Sequence, residues 1–258
     1  MGNISSKFMV SNAARRLLNS LPGSLLNTLG LIRGPITYLQ DGLLTIHNAD
    51  FIKEPAFSKA YNLGKATGSW GKGDPLWRAY ICCWAAFRAK DLEGDFVECG
   101  VNKGGFSRAV MQYTDFQALN KTFWLLDTFC GLSSEYIMEE EKKEGITSGT
   151  YEECYFQVLE TFNEFKNVNV IRGTVPDTLE RVSADKVCYL SIDMNCVEPE
   201  IAAAAFFWDK LVSGAVIVLD DYGWRKHINQ KYAFDEFAKT KGVQILSLPT
   251  GQGLIFKP

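Results

Sequence analysis

The chain of 258 residues is long enough for one α/β domain with an additional segment, or for two small domains. Its 27 Lys and Arg and 30 Asp and Glu residues give a net charge of −3, which argues against a nucleic-acid-binding protein because such proteins carry a basic surplus. A hydrophobic content of 47% excludes a mostly disordered chain, and no apolar run is long enough for stable membrane insertion. The seven cysteines form no CxxC pair, and no signal-peptide pattern precedes them, which together predict reduced thiols in the cytoplasm.

The N-terminal segment, residues 1–40, contains no Asp or Glu. Its apolar residues follow a partly helical pattern between Phe8 and Leu31, which Pro22 and Gly23 interrupt. Three interpretations stay open: short helices that pack on the main domain or on a second subunit, a membrane-surface helix, or a cleaved targeting segment. Gly2 also lies in a short N-myristoylation pattern, and the sequence does not decide whether it is acylated.

Residues 41–73 are rich in turn-forming residues, and four glycines between residues 64 and 73 predict either a lid over a site or a plain connection. Asp74 and Pro75 then predict the N-cap and first turn of a helix that continues to about Lys90. We expect residues 1–73 to form a helical extension with a lid or oligomerisation role, and residues 74–258 to form the main domain.

Short β-branched or aromatic runs alternate with helical segments after Gly94, which predicts a doubly wound α/β fold with a mostly parallel sheet. The predicted strands are 95–99, 122–127, 168–172, 187–193, 215–220, 243–248 and 253–257. The predicted helices are 104–115, 151–165, 176–183, 198–212 and 229–241. Only four residues, 249–252, separate the last two strands, which predicts an antiparallel hairpin at one edge. The charge run at residues 139–144 is expected to be a solvated loop or helix end.

Acidic residues close four of the predicted strands. They are Glu98, Asp127, Asp193, Asp220 and Asp221. In a doubly wound sheet, ligands bind outside the carboxyl ends of the strands at the point where the strand order reverses. Because acids at these positions do not contribute to a core, the set predicts a binding site.

The first of these strands continues into a glycine-containing turn with Glu98, Gly100 and Gly104. Neither GxGxxG nor GK[ST] is present, which disfavours the usual phosphate-binding loops. An acid before the turn suits a cationic amino group, and Asp127 can accept hydrogen bonds from both hydroxyls of a ribose. An amino acid joined to a nucleoside describes S-adenosylmethionine, although another nucleotide ligand stays open.

Asp193, Asp220 and Asp221 follow two strands that are neighbours in this type of sheet, and together they offer an oxygen-rich site for Mg²⁺ or another divalent cation. Asp193 is also a candidate for cofactor contact and catalysis, and its alternative role is that of a helix N-cap. His227, one of two histidines, is a candidate general base. Alternatively, it is a surface residue beside Arg225.

Five segments together resemble the macrocin O-methyltransferase family: DFVECGVNKGG, LLDTFCGL, LSIDMN, GAVIVLDDYGW and QKYAFDEFA. The family consists of metal-dependent enzymes that use S-adenosylmethionine to methylate sugar hydroxyls in antibiotic biosynthesis. The resemblance covers residues 74–258. It implies a Rossmann-like, seven-stranded class I methyltransferase sheet with an N-terminal helical extension through which the chain forms a homo-oligomer. It also implies cofactor contacts at Glu98, Gly100 and Asp127, and metal ligation by Asp193, Asp220 and Asp221.

One position departs from the family pattern I-D-x-D-x-Y, in which the second Asp is thought to act as the base. Asn195 occupies that position here, and Val197 replaces the Tyr. Since an amide cannot accept the proton, three outcomes stay open: His227 acts as the base, metal activation with water suffices, or the protein is inactive on sugars. Asn195 can still orient the acceptor through hydrogen bonds.

The sequence therefore predicts an O-methyltransferase that transfers a methyl group from S-adenosylmethionine to a hydroxyl of a sugar or glycosylated metabolite with the assistance of Mg²⁺. Two alternatives stay open. One is the same chemistry on a phenolic or catechol-like acceptor, and the other is a non-catalytic S-adenosylmethionine-binding protein.

Overall fold

The computed structural model describes Leu25, Gly30 and residues 33–258. The predicted helical pattern between Phe8 and Leu31 and the Gly2 motif lie outside the described residues, except for Leu25 and Gly30. The chain divides into two compact units between Asp50 and Phe51. The role predicted for residues 1–73 stays a prediction.

The first unit contains an antiparallel hairpin of β1 (Tyr38–Gln40) and β2 (Leu43–Thr45). The two strands are joined by Asp41-Gly42, whose residues both have positive φ, as a type I′ turn requires.

In the described part of the chain, no helix has the length and apolar character needed to cross a membrane.

The second unit alternates helices and strands. Its strands are β3 (Asp95–Cys99), β4 (Phe123–Asp127), β5 (Val168–Arg172), β6 (Val187–Ile192), β7 (Leu211–Leu219), β8 (Leu246–Ser247) and β9 (Gly253–Phe256). Its α-helices are α1 (Pro55–Ala66), α2 (Leu76–Ala89), α3 (Gly105–Thr114), α4 (Glu139–Lys143), α5 (Tyr155–Phe162), α6 (Val197–Trp208) and α7 (Ile228–Lys241). Short 3-10 turns lie at Phe116–Ala118, Leu179–Arg181 and Arg225–His227.

The seven strands of this unit form one sheet in the order β5-β4-β3-β6-β7-β9-β8. All neighbouring strands are parallel except that β9 runs antiparallel to both β7 and β8. The predicted doubly wound, mostly parallel sheet and its C-terminal hairpin are confirmed. The strand order reverses between β3 and β6, so the crevice for a ligand lies beyond the carboxyl ends of these two strands.

Both faces of the central strands are covered, as a parallel sheet requires. All six residues of β6 are buried. On one face α2 packs on β6 and β7, and the rings of Phe96, Phe123 and Tyr189 contact one another. On the other face, α6 and α7 contribute aromatic residues such as Phe207 and Phe234 to an aliphatic core. This packing holds the strand ends in a defined register.

Three of the predicted elements are clearly shorter in the structure. The helix predicted at 151–165 is α5, which runs only from Tyr155 to Phe162. The helix predicted at 176–183 is only the 3-10 turn Leu179–Arg181, in which Val182 N–H donates to Leu179 O at 3.0 Å. Because side chains three apart eclipse in a 3-10 turn, Leu179 and Val182 both reach the core. The strand predicted at 243–248 is reduced to β8, whose two residues are exposed at the sheet edge.

Other boundaries shift for local reasons. Asp74 does not cap α2, because its Oδ1 pairs with Lys65 and accepts a hydrogen bond from Tyr61 Oη at 3.0 Å. The helix predicted at 198–212 ends at Trp208, since β7 already begins at Leu211.

Helix α1 lies inside the turn-rich segment 41–73, where no helix is predicted. It buries Phe57, Ala60, Tyr61 and Gly64, which have the i, i+3, i+4, i+7 spacing of an amphipathic helix. This spacing, with Pro55 at the first turn, is a signal in the sequence that could have identified the helix.

Candidate active site

The three carboxylates predicted to bind a metal lie together at the carboxyl ends of β6 and β7. Oxygen atoms of Asp193, Asp220 and Asp221 all lie within 4.8 Å of one another. Burial, followed by the charges of Asp220 and Asp221, raises the pKa of Asp193 well above its usual range. An all-oxygen donor set whose members repel one another fits a hard divalent cation, which would remove this repulsion. The role as metal ligands stays a prediction.

Asp220 is held by two side chains from distant parts of the chain. Arg78 Nη1 forms an ion pair with Asp220 Oδ2, and Gln252 Nε2 donates to Asp220 Oδ1 at 2.9 Å. Gln252 Nε2 also lies 3.4 Å from Arg78 O, which links the two. Neither Arg78 nor Gln252 is predicted from the sequence, because each lies far along the chain from the acid that it contacts.

Asn195 lies beside the acid cluster. Its Nδ2 donates to Asp193 Oδ1 at 3.1 Å, and its backbone is left-handed with a φ of 59°. This conformation is held by Glu200, which no sequence pattern singles out. Glu200 Oε1 accepts hydrogen bonds from Met194 N–H at 2.9 Å, Asn195 N–H at 3.0 Å and Gln230 Nε2 at 2.7 Å. The turn that carries Asp193 and Asn195 is therefore anchored from α6 and α7.

His227 lies on the other side of the cluster, in the 3-10 turn before α7. Its Nε2 is 3.9 Å from Asp221 Oδ2, and its side chain is 10% exposed. Burial lowers the pKa of His227, so the ring is neutral at pH 7. Nδ1 is buried and has no hydrogen-bond partner among the described residues. The alternative of an exposed surface histidine does not agree with this burial.

Gly100 and Gly104 allow close packing within the protein. A Cβ on Gly100 would lie 1.9 Å from Asp193 O, and one on Gly104 would lie 2.6 Å from the Phe162 ring. Both residues have positive φ, at 91° and 83°. Each glycine therefore has a structural requirement in the protein, and its role in cofactor binding stays a prediction.

Glu98 is buried beneath this turn and accepts a hydrogen bond from Ser107 Oγ. Burial raises the pKa of Glu98 to about 8, an effect that the Ser107 bond opposes. The side chain thus lies at the carboxyl end of β3 with one polar partner from α3. A cationic ligand nearby would favour the ionised form.

Asp127 binds the glycine-containing turn through its carboxylate. Oδ2 accepts from Val101 N–H at 2.6 Å and Asn102 N–H at 2.7 Å, while Oδ1 accepts from Phe129 N–H at 2.6 Å. Thr128 Oγ1 lies 3.2 Å from Oδ1, but its single proton is directed to Gly131 O at 2.5 Å. A carboxylate has about four acceptor positions. In this conformation three of them are engaged, so contact with both hydroxyls of a ribose requires at least one of these bonds to open.

The glycine-rich stretch before α2 lies against the same turn. Ser69 Oγ accepts from Lys103 N–H at 3.1 Å and Gly105 N–H at 3.2 Å, and Asn102 Nδ2 donates to Ser69 O at 3.3 Å. Gln157 Nε2 on α5 donates to Thr67 O at 2.8 Å. These contacts hold the stretch against the turn, and whether it acts as a lid or is a plain connection stays a prediction.

The acidic run at residues 139–144 is only partly solvated. It forms α4, in which Glu141 is buried and accepts from Met138 N–H at 3.0 Å and Val197 N–H at 2.8 Å. The second bond reaches the first turn of α6, whose unpaired N–H groups favour a carboxylate. The prediction of a solvated run is therefore wrong for Glu141, which ties the loop after β4 to the Asp193 turn.

The sheet order, together with acidic residues at the carboxyl ends of its central strands, defines the fold of a class I methyltransferase. Residues 79–246 match the family described as macrocin-O-methyltransferase (TylF). This match spans more than half of the chain, so the chain belongs to the macrocin O-methyltransferase family and is an O-methyltransferase. The predicted family is confirmed.

Solved structures support the same fold. The O-methyltransferase NovP has a TM-score of 0.59 at 20% identity, covering 70% of this chain and 80% of NovP. The calicheamicin methyltransferase CalS11 has a TM-score of 0.54 at 13% identity, covering 82% and 94%. An O-methyltransferase from Bacillus cereus, solved in complex with SAH, has a TM-score of 0.50 at 12% identity, covering 79% and 91%. No curated protein matches the chain.

Proposed function

We propose that this O-methyltransferase transfers a methyl group from S-adenosylmethionine to a hydroxyl of a sugar or glycosylated small molecule, assisted by Mg²⁺ or another divalent cation. The observation that carries the proposal is the convergence of Asp193, Asp220 and Asp221 within 4.8 Å beside the switch point of the sheet. Membership of the macrocin family, the similarity in fold to CalS11 and the SAH complex of the Bacillus cereus enzyme support it.

The residues divide into two groups around the crevice. Glu98 lies at the carboxyl end of β3 and the turn from Gly100 to Gly104 follows it, and both would contact the amino-acid part of the cofactor, with Asp127 on the ribose side. Asp193, Asp220 and Asp221 would hold the cation, which when bound lowers the pKa of an acceptor hydroxyl from roughly 15–16 by several units. The task of the protein is then to align the acceptor oxygen and to exclude water.

The proton of the acceptor needs a base other than residue 195, since the Asn195 amide cannot accept it. His227 is neutral and its Nε2 lies 3.9 Å from Asp221 Oδ2, so we assign to Nε2 the role of accepting the proton. Asn195 donates to Asp193 Oδ1 and thereby orients that carboxylate. The non-catalytic alternative is disfavoured because all three acids of the cluster are present.

The first experiment is calorimetric titration of the purified protein with S-adenosylhomocysteine and with MgCl₂, each repeated in EDTA. We expect both ligands to bind, and we expect Asp221→Asn to weaken Mg²⁺ binding while affinity for S-adenosylhomocysteine stays within about threefold. Asp209→Asn is the matched control, because it removes an exposed acid at the far end of α6. Absence of S-adenosylhomocysteine binding to the wild type would contradict the proposed cofactor.

A phenolic acceptor is the second candidate, and Asn195 is the observation that favours it. Phenols ionise near pKa 10, so they need a weaker base than a sugar hydroxyl does. Methyl transfer to a panel of glycosides and catechols distinguishes the two, with Asn195→Asp tested on both. If the missing acid limits sugar methylation, the variant raises turnover on the glycosides only. Turnover confined to catechols in both proteins would overturn the sugar assignment.

Two further parts of the proposal concern the protein as a whole. We place the enzyme in the cytoplasm, in agreement with its cysteine pattern, and we expect a homo-oligomer. Light scattering coupled to size-exclusion chromatography measures the second, and a monomer at micromolar concentration would contradict it.

A further inference from the structure

Arg78 brings a positive charge from α2 to the acid cluster. Its Nη1 forms an ion pair with Asp220 Oδ2, and its side chain is 18% exposed while that of Asp220 is 2% exposed. Gln252 Nε2 donates to the other oxygen of Asp220 at 2.9 Å. Because the pair lies mostly away from water, solvent screens it less than a surface ion pair.

The guanidinium of Arg78 also lies near two aromatic rings. Its Cζ lies 5.8 Å from the centre of the Phe106 ring and 5.5 Å from that of Trp224. Phe106 is on α3, directly after the glycine-containing turn, and His227 N–H donates to Trp224 O at 2.9 Å. Arg78 therefore contacts the acid cluster, the helix that follows the candidate cofactor turn, and a tryptophan next to the candidate base.

We propose that Arg78 is an internal counter-cation that sets the affinity of the acid cluster for a divalent metal ion. When the three carboxylates are ionised, Arg78 leaves the group with two net negative charges, which matches one divalent cation. Without the guanidinium, the charge of Asp220 would be uncompensated and would attract the metal more strongly. This inference rests on the metal site of the proposed function, and it makes Arg78 a positioning residue rather than a catalytic one.

An arginine suits this role better than a lysine. Its delocalised group can interact with the faces of Phe106 and Trp224 while it pairs with Asp220, and it stays charged at every working pH. Lys at position 78 would keep the charge but lose the planar guanidinium. The two features can therefore be separated by substitution.

The test is calorimetric titration of the EDTA-stripped and dialysed protein with MgCl₂, for the wild type, Arg78→Met and Arg78→Lys. We expect Arg78→Met to bind Mg²⁺ at least about tenfold more tightly than the wild type, and Arg78→Lys to stay within about threefold of it. Arg88→Met is the matched control, since it removes an exposed cation from the same helix. Arg78→Gln removes the same charge if the Met variant does not fold.

Each outcome bears on the inference. Tighter binding in Arg78→Met than in a metal-binding wild type supports it, and equal or weaker binding overturns it while leaving the metal site intact. If only the variant binds Mg²⁺, charge compensation is supported and Mg²⁺ assistance of the native enzyme is wrong. If neither protein binds Mg²⁺, both the inference and the metal site are wrong.

Discussion

Glu200 makes a quantitative prediction about stability against pH. This carboxylate is 3% exposed, and burial, followed by the charge of Asp221, raises its pKa from the usual 4.5 to about 8. Between these two values the unfolded chain has released a proton that the folded chain keeps, so the free energy of unfolding decreases as pH rises. At 1.36 kcal/mol for each pKa unit, the loss across this window is about 5 kcal/mol.

The substitution Glu200→Gln isolates this effect. The amide stays neutral at every pH and keeps an acyl oxygen to accept from Met194 N–H and Asn195 N–H. We therefore expect the variant to match the wild type near pH 5 and to become more stable than it by pH 8, with a difference of up to about 5 kcal/mol.

Urea denaturation followed by circular dichroism at pH 5, 6, 7 and 8, in EDTA, measures the difference. Glu198→Gln serves as the control, because it removes an exposed acid from the same helix turn. A constant difference between Glu200→Gln and the wild type over this range would refute the raised pKa.

Two further predictions concern His227 and Gly104. Because burial lowers the pKa of His227 below 6.5, the kcat/KM of the wild type should be constant at neutral pH and should decrease in more acid solution, where the ring becomes protonated. His227→Gln should lower kcat/KM about 10²–10⁴-fold and abolish this decrease at acid pH. An unchanged pH profile would exclude His227 as the base. Gly104→Ala places a Cβ 2.6 Å from the Phe162 ring and should destabilise the protein by about 1–3 kcal/mol more than Gly145→Ala does. Gly145 is the control because its φ of 82° is similar, but a Cβ there would have no atom within 4 Å. Equal thermal unfolding temperatures for the two variants would contradict this packing.

Much of the fold could be read from local patterns. β3 and β5 have the predicted bounds of 95–99 and 168–172, because each is a short run with β-branched or aromatic residues that is followed directly by a glycine. The hairpin of β8 and β9 followed from the short separation of its strands. The 3-10 turn at Leu179–Arg181 was missed because apolar residues three apart fit an α-helix equally well.

The candidate site likewise has a part that the sequence predicted and a part that it could not predict. Parallel strands place their carboxyl ends at one edge of a sheet, so the sequence alone was sufficient to place Asp193, Asp220 and Asp221 together. The sequence could not identify Arg78 as a partner of Asp220, because the two residues are 142 positions apart. It also could not identify Gln252 as the second partner of Asp220.

Local periodicity specifies which face of an element is buried, but the pairing of polar groups depends on which helices and strands pack against each other. Glu200, for example, looks like an ordinary acid in the first turn of a helix. Only the packing of α6 on α7 and on the Asp193–Asn195 turn buries its carboxylate and brings Gln230 to it. The identity of the strand-end acids is thus a local property of the chain, whereas their charge state and orientation result from long-range contacts that form when the sheet and its helices assemble.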